Sequence, residues 1–333
     1  MKLEECLEGI NEQLRSSKCD IWKNQINTNK PLNSFGLFEQ FGYDLSSVIG
    51  INREIENKAL IVFAGDHGVS DMQLSVYPKS QTKKVVELLL QGKTPLNKLI
   101  NGTNTELFCV DMGIDGNVYS QNILNYKVAN GTKNMFYENA IEKRNVIRAI
   151  EKGIEIATIC AKRNMQIVAL GEVGIGNTVS ASVITAVLCN LTAEQVTGKG
   201  TGIVGDIVEK KKLVISTVID KCTSSDPISL LSRAGGYEIC GDVGFILGCA
   251  YYKIPVIIDG FITGAAALVA YFIHKSVRKY IFVSHQSSEP GHGYILGKLD
   301  RKPMLKLQMR YGLATGAALA LDLYERAYMI TNV

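Results

Sequence analysis

Residues 171–178 read Gly-Glu-Val-Gly-Ile-Gly-Asn-Thr, directly after the apolar run Ile167-Val168-Ala169-Leu170 and just before a helix-like stretch, Ser180–Leu188. A glycine-rich turn between a strand and a helix offers bare backbone N–H groups and a helix N-terminus, and both favour a bound phosphate. The one carboxylate in the turn, Glu172, would repel that phosphate unless it serves another part of the ligand. The segment points to a phosphorylated substrate with a second polar group beside the phosphate. A tight structural turn ending in a helix cap reads the same way.

Three more clusters carry reactive residue types. Gly198-Lys199-Gly200-Thr201-Gly202 is a second glycine-rich loop with a cation in it, which suits a phosphate cradle and a flexible turn equally. It lacks the spacing of a P-loop, and neither glycine cluster has the G-x-G-x-x-G order of a dinucleotide fold. Gly65-Asp66-His67-Gly68 holds two residue types that bind metals. A metal needs three or four converging ligands, and no partner spacing such as H-x-x-x-H accompanies them. The expectation is no metal, and a polar scaffold at the rim of a site. Ser284–His292 brings Ser, His and Glu together on one loop. Triad members come from separate elements, so this reads as a hydroxyl-rich ligand loop.

The elements that must position these loops follow from the apolar periodicity. Strands are expected at Ala59–Ala64, Glu106–Val110, Gln166–Leu170, Pro255–Ile258 and Lys279–Val283, and helices at Gln81–Gln91, Asn145–Ala161, Val179–Leu188 and Gly241–Tyr251. Alternation of this kind predicts an α/β fold: a Rossmann-like three-layer core with a parallel sheet. Residues 36–300 are expected to form that domain. Residues 1–35, two amphipathic helices broken around Asn27–Asn33, join 301–333 in a small helical lobe. Each strand runs into a glycine or polar cluster, and ligands of open α/β sheets bind beyond the carboxyl ends of the strands. Three of the four histidines (67, 285 and 292) fall in those loops.

Composition narrows the function classes. The net charge is +4 over 333 residues, with Lys and Arg scattered, so nucleic-acid binding is not expected. Lys210-Lys211-Lys212 reads as a solvated helix face. Eight cysteines form no C-x-x-C pair and mostly lie in apolar runs, which fits buried thiols in a reducing compartment. The N-terminus is polar, and the apolar run 260–273 is too short to span a bilayer. A cytoplasmic protein with no membrane partner is expected.

Taken together, the chain resembles the nicotinate-nucleotide–dimethylbenzimidazole phosphoribosyltransferase family from about residue 36 to 325. The resemblance rests on Ala64–Val69, Ser75–Pro78, Gly171–Thr178, Gly198–Gly202, Gly235–Ile239, Asp259–Phe261 and Ser284–His292. It implies transfer of phosphoribose from nicotinate mononucleotide to an aromatic lower-ligand base, with inversion at the anomeric carbon and release of nicotinate, in cobamide nucleotide-loop synthesis. It implies that Glu172, Gly174, Gly176 and Asn177 hold the ribose and phosphate. Lys199, Gly200, Thr201 and Gly202, with Lys211, would neutralise the 5′-phosphate, so Lys211 becomes a ligand rather than part of a solvated face. Ser287 would contact the nucleotide, and Val173 and Tyr311 would sandwich the aromatic rings. Asp66 and His67 belong to the rim, and Tyr77 and Lys84 to the acceptor side. No cofactor is implied.

One departure matters most. The family closes its site with Arg-Leu-Gly-Glu-Gly-Thr-Gly-Ala-Ala, whereas this chain reads Arg310-Tyr311-Gly312-Leu313-Ala314-Thr315-Gly316-Ala317-Ala318. Leu313 stands at the position of the general-base glutamate, so no catalytic residue is expected there. Binding machinery kept with the base lost suggests the glutamate-less subunit of a heterodimeric phenol or p-cresol phosphoribosyltransferase, whose homologous partner carries the glutamate. A self-sufficient transferase that uses Glu172 or Asp66 as base is one alternative and a nucleotide- or base-binding regulatory protein another. A second copy of the chain, as a homodimer, is the alternative partner to the homologue.

Overall fold

The computed structural model describes residues 1–11, 14–17, 30, 31 and 33–331. Seven strands form one all-parallel sheet: β1 Lys58–Gly65, β2 Thr105–Gly113, β3 Ile123–Asn125, β4 Ile167–Val173, β5 Val256–Ile258, β6 Ile281–His285 and β7 Pro303–Leu305. Their spatial order is β3-β2-β1-β4-β5-β6-β7. The chain therefore winds outward from β1 on one side and from β4 on the other, and the two directions meet between β1 and β4. Such a reversal opens a crevice at the carboxyl edge, because the connections on its two sides leave in opposite directions.

All five expected strands are present. Their near-continuous Val, Ile, Leu and Ala runs are those of strands covered on both faces, and every residue of β1 is buried. The edge strands β3 and β7 have three residues each and are at most half buried. They carry no periodic pattern long enough to be read in advance. The expected helix at 241 begins earlier, at Tyr237, straight after Gly236 in extended backbone.

Alternation along β4 sends neighbouring side chains to opposite faces. Position 171 abuts Ala314, at the start of the Thr315–Met329 helix, while Glu172 shares its environment with Glu238 of the Tyr237–Tyr252 helix. The Thr315–Met329 helix packs on β4, β5, β6 and β7, and the Tyr237–Tyr252 helix on β1, β2 and β4. Outside these lie the Leu37–Ile49 and Lys143–Lys162 helices, respectively. Both layers belong to one apolar core. The boundary expected at 300/301 falls just before β7, and the strand and helix beyond it are part of the sheet and its covering layer. Of the two helices expected in 1–35, Leu3–Gly9 is present and packs on Tyr237–Tyr252, whereas the second lies outside the described residues. Among the described residues no helix is long and apolar enough to cross a membrane, and seven cysteines are free thiols.

Candidate active site

A cleft of about 490 Å³ opens beyond the carboxyl ends of β4, β5 and β6. β4 delivers Glu172–Ile175 to it, and the Asn177–Cys189 helix adds Asn177 and Thr178 from its first turn. β5 contributes Asp259–Ile262, and β6 contributes His285, Ser287 and Glu289. The 310–313 loop closes the side over β4, with Tyr77 at the mouth. Tyr77 and Tyr311 are 50% and 58% exposed, so two aromatic faces stand open where a planar ligand could stack.

Glu172 is buried, and one carboxylate oxygen accepts a hydrogen bond from Asn177 Nδ2. The other, Oε1, lies beneath the loop: a Cβ built on Gly312 would stand 3.3 Å from it. Burial pushes the Glu172 carboxyl up to about 8, helped by the like charges of Glu238 and Asp259. The wall offers a carboxyl that holds its proton near neutrality, a state in which it repels phosphate far less than a bare carboxylate.

The opposite wall is apolar where the loop crosses β4. Leu313 and Ala314 are buried, and both adopt left-handed backbone, with φ of 55° and 58°. The Leu313 N–H donates to the Glu172 carbonyl at 3.2 Å, which pins the loop to the end of β4. Close approach at this crossing requires glycine at 171. A Cβ there would sit 2.5 Å from Ala314 Cα and closer still to its N and Cβ.

The far end is cationic. Lys211 is buried, and its ammonium donates to Thr178 Oγ1 (3.0 Å) and to the Gly198 carbonyl (3.2 Å). Burial lowers its pKa, and the nearby Glu289 works against that. Glu289 in turn accepts the Gly200 N–H at 2.9 Å, fixing the 198–202 loop. Thr201 Oγ1 lies 3.0 Å from Ser75 Oγ and accepts the Val76 N–H at 3.2 Å, so this loop also anchors the segment that carries Tyr77. His285 is buried 3.8 Å from Asp259, and burial holds its pKa below the ordinary value. His292 behind it is driven down to about 3 by burial and is neutral, its Nδ1 accepting the Ser287 N–H.

Of the residues singled out in the sequence, Tyr77, Glu172, Val173, Gly174, Asn177, Gly200, Thr201, Ser287, Tyr311 and Leu313 line the cleft. Lys211 sits one layer behind Gly200 and Thr178. Lys84 and Lys199 are exposed and outside the lining, as is Gly202, and Gly176 shapes the helix start with φ of 101°. Asp66 and His67 do not reach the cleft. Asp66 accepts the Asp115 N–H at 2.8 Å, and His67 is wholly buried against Glu238. Sequence reasoning assigned no role to Asp259, His285, Glu289 or Arg310, all of which line it. Their signal was position, since each sits in a polar cluster after a strand or in the frame around Leu313. Among the described residues no three His, Cys, Asp or Glu side chains group as a metal site requires.

Fold and cleft define a doubly wound α/β protein with a small-molecule site at the carboxyl edge of its sheet. Residues 10–333 match the Phosphoribosyltransferase family. The chain is 34% identical over 330 residues to the nicotinate-nucleotide–dimethylbenzimidazole phosphoribosyltransferase of Clostridium acetobutylicum, covering 98% of this chain and 94% of that one. It is 37% identical over 310 residues to the protein of the same name from Geobacter sp. strain M21, covering 92% and 89%. The crystal structure of CobT from Thermus thermophilus superposes with a TM-score of 0.90 at 29% identity, over 94% of this chain and 95% of that one. The chain belongs to the nicotinate-nucleotide–dimethylbenzimidazole phosphoribosyltransferase family.

Proposed function

We propose that this chain serves phosphoribosyl transfer from nicotinate mononucleotide to an aromatic lower-ligand base in cobamide synthesis, as the glutamate-less subunit of a heteromer. The observation that carries this reading is the 310–314 loop. Its backbone is pinned to β4 as a cleft wall, yet Leu313 fills the base position with a buried apolar side chain. The 198–202 loop supplies N–H groups for the 5′-phosphate with the Lys211 charge one layer behind it, and Tyr77 and Tyr311 supply faces for the rings. In the transfer, the bond from the ribose C1′ to the pyridinium nitrogen breaks, and its electron pair stays on nicotinate. The acceptor atom bonds to C1′ from the opposite face and gives up its proton. A positioned base is worth about 10²–10⁴-fold in that step. A phenol, with a pKa near that of tyrosine at about 10, sheds its proton more readily than an alcohol and suits a site poor in bases.

The test is release of nicotinate from nicotinate mononucleotide, with benzimidazole or phenol as acceptor, by this chain alone and with a homologue that carries the glutamate. Turnover only in the mixture is expected. Full turnover by the isolated chain would overturn subunit dependence. Binding of the mononucleotide with no turnover in either case would leave a binding protein.

One observation favours a self-sufficient enzyme as the second reading. Glu172 Oε1 lies under the Gly312 backbone, in the corner where the missing base would act. With its pKa near 8, its ionised form is a stronger base than an ordinary carboxylate. Under that reading the isolated chain turns over phenol, and Glu172→Gln abolishes the turnover.

A further inference from the structure

Two of the sequence motifs take no direct part in lining the cleft: Gly65–Gly68 and Gly235–Ile239. The fold brings them together behind Glu172. His67 Nε2 meets Glu238 Oε1 at 2.5 Å, and both side chains are fully buried. His67 Nδ1 lies 3.1 Å from Ser180 Oγ, in the first turn of the helix that supplies Asn177 and Thr178 to the cleft. Space for the pair is cleared by missing side chains. A Cβ on Gly65 would stand 2.6 Å from Glu238 Oε2, and one on Gly236 would stand 2.6 Å from the same atom and closer still to His67. A side chain at Gly65 would collide with Glu238, and one at Gly236 with both members of the pair.

The pair also faces the cleft wall. The Cβ position of Gly174 lies 3.1 Å from Glu238 Oε1 and 3.4 Å from Asn177 Nδ2, the amide that holds Glu172. Glu238 Oε2 has no hydrogen-bond partner among the described residues, so that carboxylate is left to act on its surroundings through its charge. We propose that His67 and Glu238 are positioning residues: the buried pair fixes the first turn of the Asn177–Cys189 helix and, through Asn177, sets where Glu172 sits in the cleft wall.

This rests on Glu172 being a working part of the cleft, as argued above. The titratable and charged groups around Glu172 are Glu238 and Asp242 of the Tyr237–Tyr252 helix, Asp259 and His285 after β5 and at the end of β6, and Arg310 and Tyr311 of the loop. Of the neighbouring charges, Glu238 acts most strongly on the Glu172 carboxyl and Asp259 next. Asp242 is fully buried with neither oxygen partnered among the described residues, and burial, with Glu172 and Glu238 beside it, drives its pKa well above the ordinary carboxylate value.

The experiment is a side-chain carboxyl NMR titration of the full chain labelled with ¹³C-glutamate, Glu172 being assigned by the signal lost in Glu172→Gln. Wild type should show one glutamate titrating near 8. Glu238→Gln keeps the shape and a hydrogen-bonding atom toward His67 while removing the charge, and should lower that midpoint by about one pH unit. Asp242→Asn should leave it in place. In a uniformly ¹⁵N-labelled sample, His67→Gln should weaken mononucleotide binding and broaden the Asn177 side-chain signals, because the helix turn loses its tie; unchanged binding with sharp Asn177 signals overturns the role of His67. An unmoved midpoint in a folded Glu238→Gln protein overturns the inference, as does an equal shift in Asp242→Asn. If Glu238→Gln fails to fold, Glu238→Asp, which withdraws the charge by one methylene, is read instead against the same two criteria. A shifted midpoint in a chain that never transfers phosphoribose sinks the functional reading and leaves this one standing.

Discussion

Putting the base back is the sharpest test of what Leu313 does. The double variant Leu313→Glu with Ala314→Gly restores the family's Gly-Glu-Gly-Thr-Gly and leaves Tyr311 as the remaining departure in the 310–318 frame. If the cleft is competent in all but the base, turnover with benzimidazole should rise by about 10²–10⁴-fold, the usual worth of positioned proton transfer. Stability should fall. Leu313 is 3% exposed, and losing its burial costs about 1.5–3 kcal/mol. The change at 314 is close to neutral: relief of left-handed backbone contributes about 1–2 kcal/mol. The lost methyl costs about 0.8 kcal/mol, and the freer unfolded chain about 0.4–1 kcal/mol. A net loss of about 1.5–3 kcal/mol follows. The introduced carboxyl would sit near Glu172 and Asp259, so burial and like charge raise its pKa, and the rate should climb as pH rises through neutrality. Nicotinate release followed by chromatography gives the rate, and urea denaturation gives the stability. A folded variant with no gain on benzimidazole would refute the idea that the missing base alone limits this chain. A gain as large with phenol as with benzimidazole would refute the role given to acceptor acidity.

Other expectations follow from the same geometry. Glu172 has a folded-state pKa raised from 4.5 to about 8, so its contribution to stability is whole below about 4.5 and is lost as pH rises through about 8. The slope is about 1.4 kcal/mol per pH unit, so urea midpoints of Glu172→Gln and wild type should diverge between pH 5 and 8 in favour of the variant, and parallel curves would contradict this. Gly171→Ala should cost more than about 2 kcal/mol, because the new Cβ collides with Ala314. Adding Ala314→Gly should recover only part of that, since the backbone of 314 still lies within 2.5 Å; thermal denaturation of the pair checks it. Lys211→Met should weaken nicotinate mononucleotide binding by roughly 2- to 10-fold in calorimetry, because its ammonium holds Thr178 and the Gly198 carbonyl in place behind the cleft, and an unchanged affinity would contradict this.

The sheet was legible because strands buried on both faces leave unbroken apolar runs, and five of its seven members do so. β3 and β7 escaped because three-residue edge strands are held by pairing with β2 and β6 rather than by any pattern of their own. The partnership of His67 with Glu238 escaped for another reason. The two are 171 positions apart, and only the sheet order brings the end of β1 and the start of the Tyr237–Tyr252 helix to the same place. Reading Asp66-His67 as a rim followed from its position after a strand. It missed that the 131–132 segment and Glu238 cover the end of β1: the Thr132 N–H donates to the Asp66 carbonyl, the Gly68 N–H donates to Thr132 Oγ1, and His67 meets Glu238. Lys211 shows the opposite case: a run of three lysines looks solvated, yet the helix turns the middle one inward, to 1% exposure, while its neighbours face out.

The loop at 310–314 ties sequence and structure most closely. Leu313 and Ala314 follow a left-handed path that costs a non-glycine residue about 1–2 kcal/mol each. A cleft of no further use would let that strain relax, since nothing about leucine or alanine favours such backbone. Here the path is enforced by the Leu313 N–H to Glu172 bond and by the close crossing at Gly171. It holds Tyr311 at the cleft mouth and Glu172 Oε1 beneath Gly312. On the proposed function, a wall kept in that shape with Leu313 in it belongs to a site that still binds, the proton being taken by a partner's carboxylate or by Glu172.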